Sequence, residues 1–429
     1  MLIYGIWYIG SDLMDEIKVI GGQVLSGKIN ISGAKNSVVA LIPAAILCDK
    51  STISNVPHIS DVDNLEEILK YLDVDFSLNG DTLSIDTINM VNKPIDKVYS
   101  KKLRASYYFM GALLGRFKRV EISLPGGCVI GKRPMDIHFS GFEALGATVK
   151  NEGDLYIIEA PLLKGADIDL KFASVGATVN ILLASVKACG VTRINNAAIE
   201  PEIGNLIDFL NSMGAKISGK DTRNLVIEGV DSLSFGNIRV IPDRIEAGTY
   251  ILAGVMNGKN LEVCNMCPEH LTSFLDVLKE MGASLEIKDT SVVASKVDNL
   301  KPVNIKTEVY PGFPTDLQQP ITTLLLMANG KSVLRETIYE NRFQNVEYLN
   351  KMGASILISG DTIYVNGPVK LQGKLVKTSD LRAGAALILA ALSADGETTI
   401  TDIKHLLRGY SDLIAKFTNV GAKIWLTYE

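Results

Sequence analysis

Met281-Gly282-Ala283 ends an amphipathic helical stretch and precedes a strand-like one, and similar tripeptides recur along the chain. The glycines follow at steps of 68, 68, 71 and 68 residues, in Leu145-Gly146-Ala147, Met213-Gly214-Ala215, Met281-Gly282-Ala283, Met352-Gly353-Ala354 and Val420-Gly421-Ala422. Leu72-Asp73-Val74 is a degenerate sixth copy, in which an aspartate replaces the glycine. A long period of this kind predicts one structural unit that is copied six times.

The fourth copy indicates what one unit contains. Residues 237–241 are typical of a strand, and after a polar loop the apolar stretch 249–256 ends at Asn257-Gly258, as helices often do. A second strand is predicted over 260–264, and residues 271–278 are apolar at helical spacing on one face only. With two short strands after the turn, each unit is predicted to be β-α-β-α-β-β.

The two predicted helices of a unit differ in polarity. The first is apolar on all sides in every copy, which predicts a buried position because a surface helix has a polar face. These stretches cover residues 40–47, 107–114, 177–186, 249–256, 321–327 and 383–392. Each is shorter than the ~20 residues that span a bilayer, so we predict core helices. The second helix, such as residues 64–70, has a charged face and is predicted to lie outside.

Length and composition limit the organisation of the chain. Six units in 429 residues exceed what one hydrophobic core supports, which predicts two domains of three units. The residues are 47% hydrophobic and 21% charged, as in a soluble globular protein, and the net charge of −5 argues against binding to nucleic acid or to an anionic membrane. Five scattered cysteines form no disulfide framework, so a cytoplasmic location is expected. Residues 1–13 fit no unit and lack a signal-peptide pattern, and we interpret them as an N-terminal extension before Met14.

Cations stand at the junctions of the apolar elements although the chain as a whole is acidic. Each buried helix begins at a loop, where free N–H groups and a partial positive charge favour anions, and arginine adds paired hydrogen bonds to carboxylate or phosphate. The loop residues concerned are Lys35-Asn36, Arg104, Cys128 to Arg133, Ser174-Val175-Gly176, Asp243-Arg244, Asp316, Glu340-Asn341-Arg342, Asp380-Leu381-Arg382 and Arg408-Gly409. An anion-binding region is predicted here. The alternative is that each arginine caps a neighbouring helix or pairs with a nearby acid.

The loop at residues 124–134, LPGGCVIGKRP, differs from its counterparts in the other units. Its glycines suit a lid that moves. Two cations follow Cys128, and nearby positive charge lowers the pKa of a thiol and raises its reactivity. Cys128 is therefore the candidate reactive thiol. A buried, inert cysteine is the usual alternative, which fits Cys48 and Cys189, on apolar helices, better.

Other short patterns do not support a site. Cys264-Asn265-Met266-Cys267 has CxxC spacing, but no second pair or matching histidines follow it. Residues 22–28 resemble a phosphate loop, yet Ile29 occupies the position that requires Ser or Thr. The histidines show no ligand spacing, so no metal site is predicted. His138 and His405 lie near the basic loops, where a secondary binding role stays open.

Eight motifs follow one another between about residue 15 and the C-terminus. They are Ser32-Gly33-Ala34-Lys35-Asn36, Leu124-Pro125-Gly126-Gly127-Cys128 with Arg133-Pro134, Ser174-Val175-Gly176-Ala177-Thr178, Pro242-Asp243-Arg244-Ile245-Glu246, Phe313-Pro314-Thr315-Asp316, Glu340-Asn341-Arg342-Phe343, Asp380-Leu381-Arg382 and Arg408-Gly409-Tyr410. In this order they resemble the signatures of the UDP-N-acetylglucosamine enolpyruvyl transferases (1-carboxyvinyltransferases), in the EPSP synthase family. The resemblance implies an α/β fold of two inside-out α/β barrel domains, each of three βαβαββ repeats, with the substrates between them. It also implies an interleaved division, in which residues 35–242 carry the cysteine lid loop and residues 14–34 join residues 243–429.

The same resemblance implies a transferase that needs no cofactor and catalyses the first committed step of peptidoglycan synthesis. The 3-hydroxyl of UDP-N-acetylglucosamine adds to C2 of phosphoenolpyruvate while C3 is protonated, and phosphate then leaves. The implied catalytic residues are Lys35, Cys128, which donates a proton and forms a covalent phosphoenolpyruvate adduct, and Asp316, which takes the hydroxyl proton. The implied substrate-binding residues are Lys35, Asn36, Arg104, Arg133, Pro134, Met135, Asp136, Ile137, Asp316, Ile338, Arg342, Asp380, Arg382 and Arg408. Among them Lys35, Arg133 and Arg408 are expected to hold phosphoenolpyruvate, with Arg104 and Arg382 nearby.

The chain departs from the family at one place. Some members carry a lysine two residues before the Ser-Val-Gly turn, where this chain has Phe172 and the lysine stands one position earlier, at Lys171. A shift of one residue redirects a side chain on an extended segment, so the contact to UDP expected there stays open.

Three other functions compete with this interpretation. The sister enzyme that makes 5-enolpyruvylshikimate 3-phosphate lacks the cysteine loop, and fold alone says little about substrate. A non-catalytic paralogue that binds UDP-sugar and regulates a partner is expected to have lost Cys128, Asp316 or Lys35. An RNA-end-processing relative conflicts with the acidic balance. Small-molecule partners and a monomer are expected, with Cys128 alkylated by fosfomycin.

Overall fold

The computed structural model describes residues 16–102, 104–124 and 135–427, and for Arg104 the backbone alone. The predicted N-terminal extension, residues 1–13, lies outside the described residues. The strands are β1 (Glu16–Ile20), β2 (Leu25–Asn30), β3 (Lys50–Ser54), β4 (Asp75–Asn79), β5 (Thr82–Asp86), β6 (Arg119–Ser123), β7 (Thr148–Glu152), β8 (Leu155–Glu159), β9 (Asp167–Asp169), β10 (Val191–Asn195), β11 (Lys216–Ser218), β12 (Asn224–Glu228), β13 (Gly236–Arg239), β14 (Gly258–Cys264), β15 (Ser284–Ile287), β16 (Ser291–Ser295), β17 (Asn304–Lys306), β18 (Gly330–Arg335), β19 (Ile356–Ser359), β20 (Thr362–Gly367), β21 (Leu375–Lys377), β22 (Glu397–Thr401) and β23 (Lys423–Thr427).

The helices complete the inventory of regular elements. The α-helices are α1 (Lys35–Ala45), α2 (Ser60–Tyr71), α3 (Lys97–Ser100), α4 (Phe109–Phe117), α5 (Asp136–Ala144), α6 (Val175–Ser185), α7 (Pro201–Ser212), α8 (Arg244–Asn257), α9 (Thr272–Glu280), α10 (Gln318–Leu325), α11 (Gln344–Lys351), α12 (Leu381–Ser393), α13 (Lys404–Leu407) and α14 (Leu413–Asn419). Short 3₁₀ helices span Arg104–Tyr108, Pro268–Leu271 and Thr315–Leu317. In the part of the chain that the structure describes, none of the helices combines the length and the apolar character needed to cross a bilayer.

The strands of the described residues form six sheets, five of which share one pattern. In five of them a first strand pairs in parallel with a second, and two antiparallel strands follow, in the orders β13-β3-β5-β4, β9-β10-β12-β11, β2-β14-β16-β15, β17-β18-β20-β19 and β21-β22-β1-β23. The sixth sheet is β6-β8-β7, and a parallel bridge between Ile95 and Ile122 replaces its first strand. The predicted α/β fold of repeated units is confirmed.

Two equivalent strands are exchanged between the halves of the chain. β2 precedes α1 in sequence but pairs in parallel with β14, and β13 precedes α8 but pairs in parallel with β3. The segments that follow these strands cross side by side, joined by an antiparallel bridge between Gly33 and Pro242. The prediction that residues 237–241 form the first strand of the fourth unit is therefore wrong. A repeat period fixes the length of a unit, but it does not distinguish between two equivalent strands that both precede a buried helix.

The recurrent turn has one backbone conformation. The glycines at 146, 214, 282, 353 and 421 have φ of +90°, +100°, +82°, +107° and +99°. This is the left-handed region in which helices commonly end, and glycine enters it without the clash that a Cβ causes. Asp73 in the degenerate copy adopts it too, with φ of +57°, because a short polar side chain tolerates it better than most.

The buried apolar residues form two separate clusters. The first core contains residues between 34 and 240, and the second core contains residues 17–31 and 245–424. The predicted core helices are confirmed: α1, α4 and α6 are buried in the first core and α8, α10 and α12 in the second. We propose that the two cores correspond to the predicted domains, residues 35–242 and residues 14–34 with 243–429. The chain passes between the cores at the paired crossing segments.

Helices of the first core approach each other closely. A Cβ on Gly111 of α4 would lie 2.2 Å from the carbonyl oxygen of Asn180 on α6, so only glycine fits. The Gly111 N–H, one of the unpaired donors in the first turn of α4, donates to Asn180 Oδ1 at 2.8 Å. The Asn180 side-chain nitrogen in turn lies 3.0 Å from His138 Nδ1 on α5. The first turns of α4 and α5 are thereby both joined by polar contacts to Asn180 in the middle of α6.

Candidate active site

Charged residues gather where the buried helices begin. Lys35 is the first residue of α1, Arg244 the first of α8 and Arg382 the second of α12. Asp316 lies in the 3₁₀ turn that leads into α10. The N-terminus of a helix carries a partial positive charge and unpaired N–H donors, so this arrangement favours bound anions.

A buried carboxylate holds two of these cations. Asp61, in the first turn of α2, has a side chain that is 2% exposed, and its two oxygens lie 2.9 Å from Lys35 Nζ and 2.8 Å from Arg408 Nε. Burial alone would raise the pKa of Asp61, but the two cations outweigh it and lower that pKa. Burial also lowers the pKa of Lys35, partly offset by Asp61. Lys35 and Asp61 belong to the first core and Arg408 follows α13 in the second, so this triad joins the two halves.

A second carboxylate lies between two arginines. Asp316 accepts hydrogen bonds from Arg342 Nη2 at 2.7 Å on Oδ1 and from Arg382 Nη2 at 2.9 Å on Oδ2. Both arginine side chains are 4% exposed, whereas that of Asp316 is 25% exposed. Burial would raise the pKa of Asp316, but the two guanidinium groups hold it well below its usual range. Asp316 is therefore an ionised carboxylate that reaches solvent in front of two buried cations.

One further carboxylate, that of Glu336, fixes the surroundings of Asp316. Arg342 Nη1 donates to Thr315 Oγ1 at 2.8 Å, and that hydroxyl donates to Glu336 Oε2 at 2.7 Å. The other oxygen of Glu336, a buried residue, accepts the backbone N–H of Ile338 at 2.7 Å. The orientation of Arg342 and the position of the Ile338 backbone are thus set by the same side chain.

The crossing between the cores is tied to the site. Asp243 Oδ1 caps α8 by accepting the N–H groups of Ile245 and Glu246, while its Oδ2 accepts the N–H of Lys35 at 2.9 Å. Arg244, the next residue, pairs with Glu202 of α7, with Nε 3.0 Å from Oε1. One short segment therefore fixes the starts of α1 and α8 together.

The two carboxylate clusters are neighbours. A Cβ on Gly409 would lie 3.0 Å from Lys35 Cδ and 2.6 Å from Leu381 Cδ2, so Gly409 lies directly between these two side chains. Arg382 lies close enough to Lys35 for its charge to help lower the pKa of Lys35. Burial would lower the pKa of Arg244, but Glu202 raises it, and the charge of Asp316 makes a smaller contribution that also raises it. The structure thus brings together Lys35, Asp316, Arg342, Arg382 and Arg408 of the predicted site.

The remaining predicted residues are placed less completely. Asp380 caps α12 and accepts the N–H of Arg382 at 2.8 Å, Asn36 is the second residue of α1, and Met135, Asp136 and Ile137 lie at the start of α5. Cys128, Arg133, Pro134 and the side chain of Arg104 lie outside the described residues. Phe172 is 47% exposed just before α6. Within the described ranges, no group of three histidine, cysteine or acidic residues could hold a metal ion.

Three carboxylates of the site were missed among the predicted site residues: Asp61, Glu202 and Glu336. Asp61 shares the buried face of α2 with Val62, Leu65 and Ile68, so a carboxylate on an otherwise apolar stripe was the pattern that could have revealed it. Glu202 is likewise buried on α7. A buried acid without a nearby cation is costly, so such a position predicts a partner from elsewhere in the chain.

Comparisons with known proteins identify the family of the chain. The family model of EPSP synthase (3-phosphoshikimate 1-carboxyvinyltransferase) matches residues 19–417. UDP-N-acetylglucosamine 1-carboxyvinyltransferase 2 from Geobacillus kaustophilus is 52% identical over 413 residues, and that from Bacillus subtilis is 49% identical over 414, with 96% of each chain covered in both cases. The enolpyruvyl transferase NikO from Streptomyces tendae has a TM-score of 0.89 at 26% identity, covering 97% of this chain and all of the other.

EPSP synthase from Acinetobacter baumannii, at 17% identity, shares the fold, with a TM-score of 0.74 over 96% of this chain and all of its own. The matches therefore extend over nearly the whole chain in both sequence and fold. The chain belongs to the EPSP synthase family of enolpyruvyl transferases, in the group of the UDP-N-acetylglucosamine 1-carboxyvinyltransferases with which it shares about half of its residues.

Proposed function

We propose that this transferase moves the enolpyruvyl group of phosphoenolpyruvate to the 3-hydroxyl of UDP-N-acetylglucosamine and releases phosphate. The observation that carries the proposal is the identity of 49–52% to enzymes of that name over 96% of the chain. The site supports it, because buried cations surround an ionised carboxylate at the starts of several helices. The reaction is the first committed step of peptidoglycan synthesis.

Lys35 and Arg408 are proposed to bind phosphoenolpyruvate. Together with Asp61 they carry a net charge of +1, and an anionic carboxylate or phosphate neutralises it through charge-assisted hydrogen bonds. Arg133 is proposed as a third ligand from the cysteine loop. Asn36, Arg104, residues 133–137, Asp316 and Ile338 are proposed to contact the UDP-sugar. Arg104 and Arg382 are also proposed to lie near phosphoenolpyruvate, and Arg342 and Asp380 to contribute to substrate binding.

The addition step forms one C–O bond and moves two protons. The sugar 3-oxygen bonds to C2 of phosphoenolpyruvate, the C2–C3 double bond opens, and Cys128 gives a proton to C3. The proton on the sugar oxygen passes to Asp316. A tetrahedral intermediate results, with phosphate, carboxylate and sugar oxygen on C2.

The low pKa of Asp316 is compatible with this role. A free sugar hydroxyl is too weak an acid to protonate such a carboxylate, but the same proton becomes strongly acidic once its oxygen has bonded to C2. Arg342 and Arg382 therefore keep Asp316 ionised and oriented until the C–O bond forms. In the elimination step C3 returns a proton to the Cys128 thiolate, the C2–C3 double bond forms again, and the C2–O bond to phosphate breaks.

The cellular setting follows from the reaction. We propose that the protein acts as a cytoplasmic monomer on two small-molecule substrates and serves cell-wall growth, cell shape and cell division. Cys128 is also proposed to form a covalent phosphoenolpyruvate adduct and to be alkylated by the epoxide fosfomycin.

Phosphate release provides the test. Phosphoenolpyruvate is incubated with UDP-N-acetylglucosamine, with shikimate 3-phosphate and without an acceptor, each with and without fosfomycin. We expect phosphate release only in the incubation that contains UDP-N-acetylglucosamine, and we expect fosfomycin to abolish it. Cys128→Ala is expected to fold normally and lose most of its turnover, and Cys128→Asp to resist fosfomycin. Release with shikimate 3-phosphate would favour the sister reaction, and a folded protein that binds UDP-sugar without any release would favour a regulatory paralogue.

A further inference from the structure

Asp61 occupies an unusual place for a carboxylate in an anion-binding site. Each of its oxygens holds one cation, with Lys35 Nζ at 2.9 Å and Arg408 Nε at 2.8 Å. The exposed fraction of the side chains rises from 2% for Asp61 to 15% for Lys35 and 35% for Arg408. The carboxylate thus lies behind the cations, and the cations lie between it and the solvent from which a substrate arrives.

Both cations keep donors for a ligand. The Lys35 ammonium has three N–H groups, and Arg408 uses Nε towards Asp61, which leaves its two terminal nitrogens unengaged by that carboxylate. A carboxylate that accepts one bond from each therefore fixes the direction of both side chains without consuming their capacity to bind an anion.

Asp61 also counters the electrostatics of the pocket. Burial lowers the pKa of Lys35, and the charges of Arg408 and Arg382 lower it further, whereas Asp61 raises it. Without a negative charge behind them, two cations this close repel each other, and the amine is the one that can lose its proton. A neutral amine binds an anionic substrate far less strongly than an ammonium group does.

We propose that Asp61 is a positioning residue for the anionic substrate: it keeps Lys35 protonated and ties Arg408 of the second core to the first. The inference rests on the proposed function, in which Lys35 and Arg408 bind phosphoenolpyruvate. Asp61 itself touches no reacting atom in this arrangement.

A purely structural role is the alternative to be separated. Asp61 lies in the first turn of α2, where any acid favours the helix dipole. Asp63 lies in the same turn, has the same charge and is exposed. Asp63→Asn is therefore the matched control, because it removes an equal charge from the same turn but not the contacts with Lys35 and Arg408.

The experiment measures phosphoenolpyruvate binding by calorimetry and the transfer kinetics of wild type, Asp61→Asn, Asp61→Glu and Asp63→Asn from pH 6 to 10. For Asp61→Asn we expect the KM for phosphoenolpyruvate to rise about tenfold or more, as for the loss of a charged hydrogen bond. We also expect the alkaline limb of kcat/KM to move to lower pH by about one unit or more, since Lys35 then deprotonates earlier. For Asp61→Glu we expect the alkaline limb at the same pH as in wild type, because the negative charge is retained. Asp63→Asn should match wild type in both KM and pH profile.

Each outcome decides between the two roles. If Asp61→Asn lowers kcat or stability while its pH profile and KM match wild type, Asp61 is only structural and the proposal fails. If Asp61→Asn does not fold, Asp61→Glu decides: a raised KM with an unchanged alkaline limb supports the proposal, and an unchanged KM overturns it. Binding is measured without turnover, so a wild type that binds phosphoenolpyruvate but transfers nothing contradicts the proposed function and still tests Asp61.

Discussion

Glu202 of α7 and Arg244 of α8 connect the two cores through a buried ion pair, with side chains that are 6% and 9% exposed and Nε 3.0 Å from Oε1. A second contact, from Arg244 Nη2 to Glu202 Oε2 at 3.4 Å, gives the pair two points of attachment. Arg244 also lies over the ring of Tyr310, 5.4 Å from its centroid. Because both side chains are removed from water, each charge is stabilised mainly by its partner, and either one alone would be costly to bury.

Removing one partner of this pair is expected to destabilise the protein. Glu202→Ala leaves the Arg244 guanidinium buried without its carboxylate, and such losses cost about 3–5 kcal/mol. The free energy of unfolding, measured by denaturant titration, should fall accordingly. Asp276→Ala is the control, because it removes the exposed ion pair with Lys279 and should change stability by about 0–1 kcal/mol. Equal effects of the two substitutions would contradict the prediction.

Glu246 is expected to make stability depend on pH. It is 2% exposed, it accepts the N–H of Ser32 at 2.8 Å, and it pairs with Lys416 at 2.5 Å, yet burial raises its pKa to about 7. Its unfolded pKa is about 4.3. Between these values the folded state binds more protons, so stability is lost as pH rises. Relative to Glu246→Gln, the unfolding free energy of wild type should fall between about pH 4.5 and 7.

Glu262 provides a control of opposite sign for that measurement. Hydrogen bonds from Lys28 first, then Ser291 and Lys288, lower the pKa of Glu262 to about 2. Relative to Glu262→Gln, wild type should therefore lose stability as pH falls below about 4.5. If the difference in unfolding free energy between wild type and Glu246→Gln stays constant across pH 4.5–7, the pKa of Glu246 is not raised in the folded state.

The arginines around Asp316 are expected to set the acid limb of the reaction. Arg342→Gln removes one of the two cations that hold the Asp316 pKa low, so that pKa should rise. Because Asp316 must be ionised to accept a proton, the acid limb of kcat against pH should move to higher pH by about one unit or more. Arg335→Gln, which breaks an exposed pair with Asp361, should leave the profile unchanged. An unmoved acid limb in Arg342→Gln would argue against Asp316 as the base.

Substitutions in the recurrent turn are expected to change stability only through the backbone conformation that the turn requires. A Cβ on Gly282, with φ of +82°, meets no atom within 4 Å, so Gly282→Ala should cost about 1 kcal/mol through the left-handed conformation and not through a clash. Asp73→Gly makes the reverse change at φ of +57° and gives up a surface pair with Lys93. We expect a gain of at most about 1 kcal/mol there. Denaturant midpoints that shift in the same direction would contradict this account.

Much of the fold could be predicted because it depends on local patterns. Helices without a polar face have to be buried, so the burial of α8 follows from its own sequence. The tripeptide Met-Gly-Ala marks the end of a helix at a glycine in the left-handed conformation, so the turn at Gly282 is also predictable from local sequence. The exchange of β2 and β13 could not be predicted in this way. Both strands precede a buried helix, and their partners are chosen by contacts across more than 180 residues.

The site was predictable to the same extent. Lys35, Arg382 and Arg408 stand out as cations at the ends of apolar elements, and the resemblance adds their expected roles. Their immediate partners are less evident, because Asp61 is one acid among several in an amphipathic helix until α2 is folded against α1. Pairing between distant residues is decided by packing, which a single sequence does not reveal.

The exchange of strands also sets an order of assembly during synthesis. β1 and β2 precede the other described strands, but β14, the partner of β2, follows the first core, and β22 and β23, the partners of β1, are the last described strands. The first core needs nothing beyond β13, so it can close when about half of the chain has emerged. β1 and β2 remain without partners beyond that point, β2 until β14 has emerged and β1 until β22 and β23 have emerged, as strand edges that could pair with another chain. Two of the earliest strands therefore complete the second core, most of which is made after the first core.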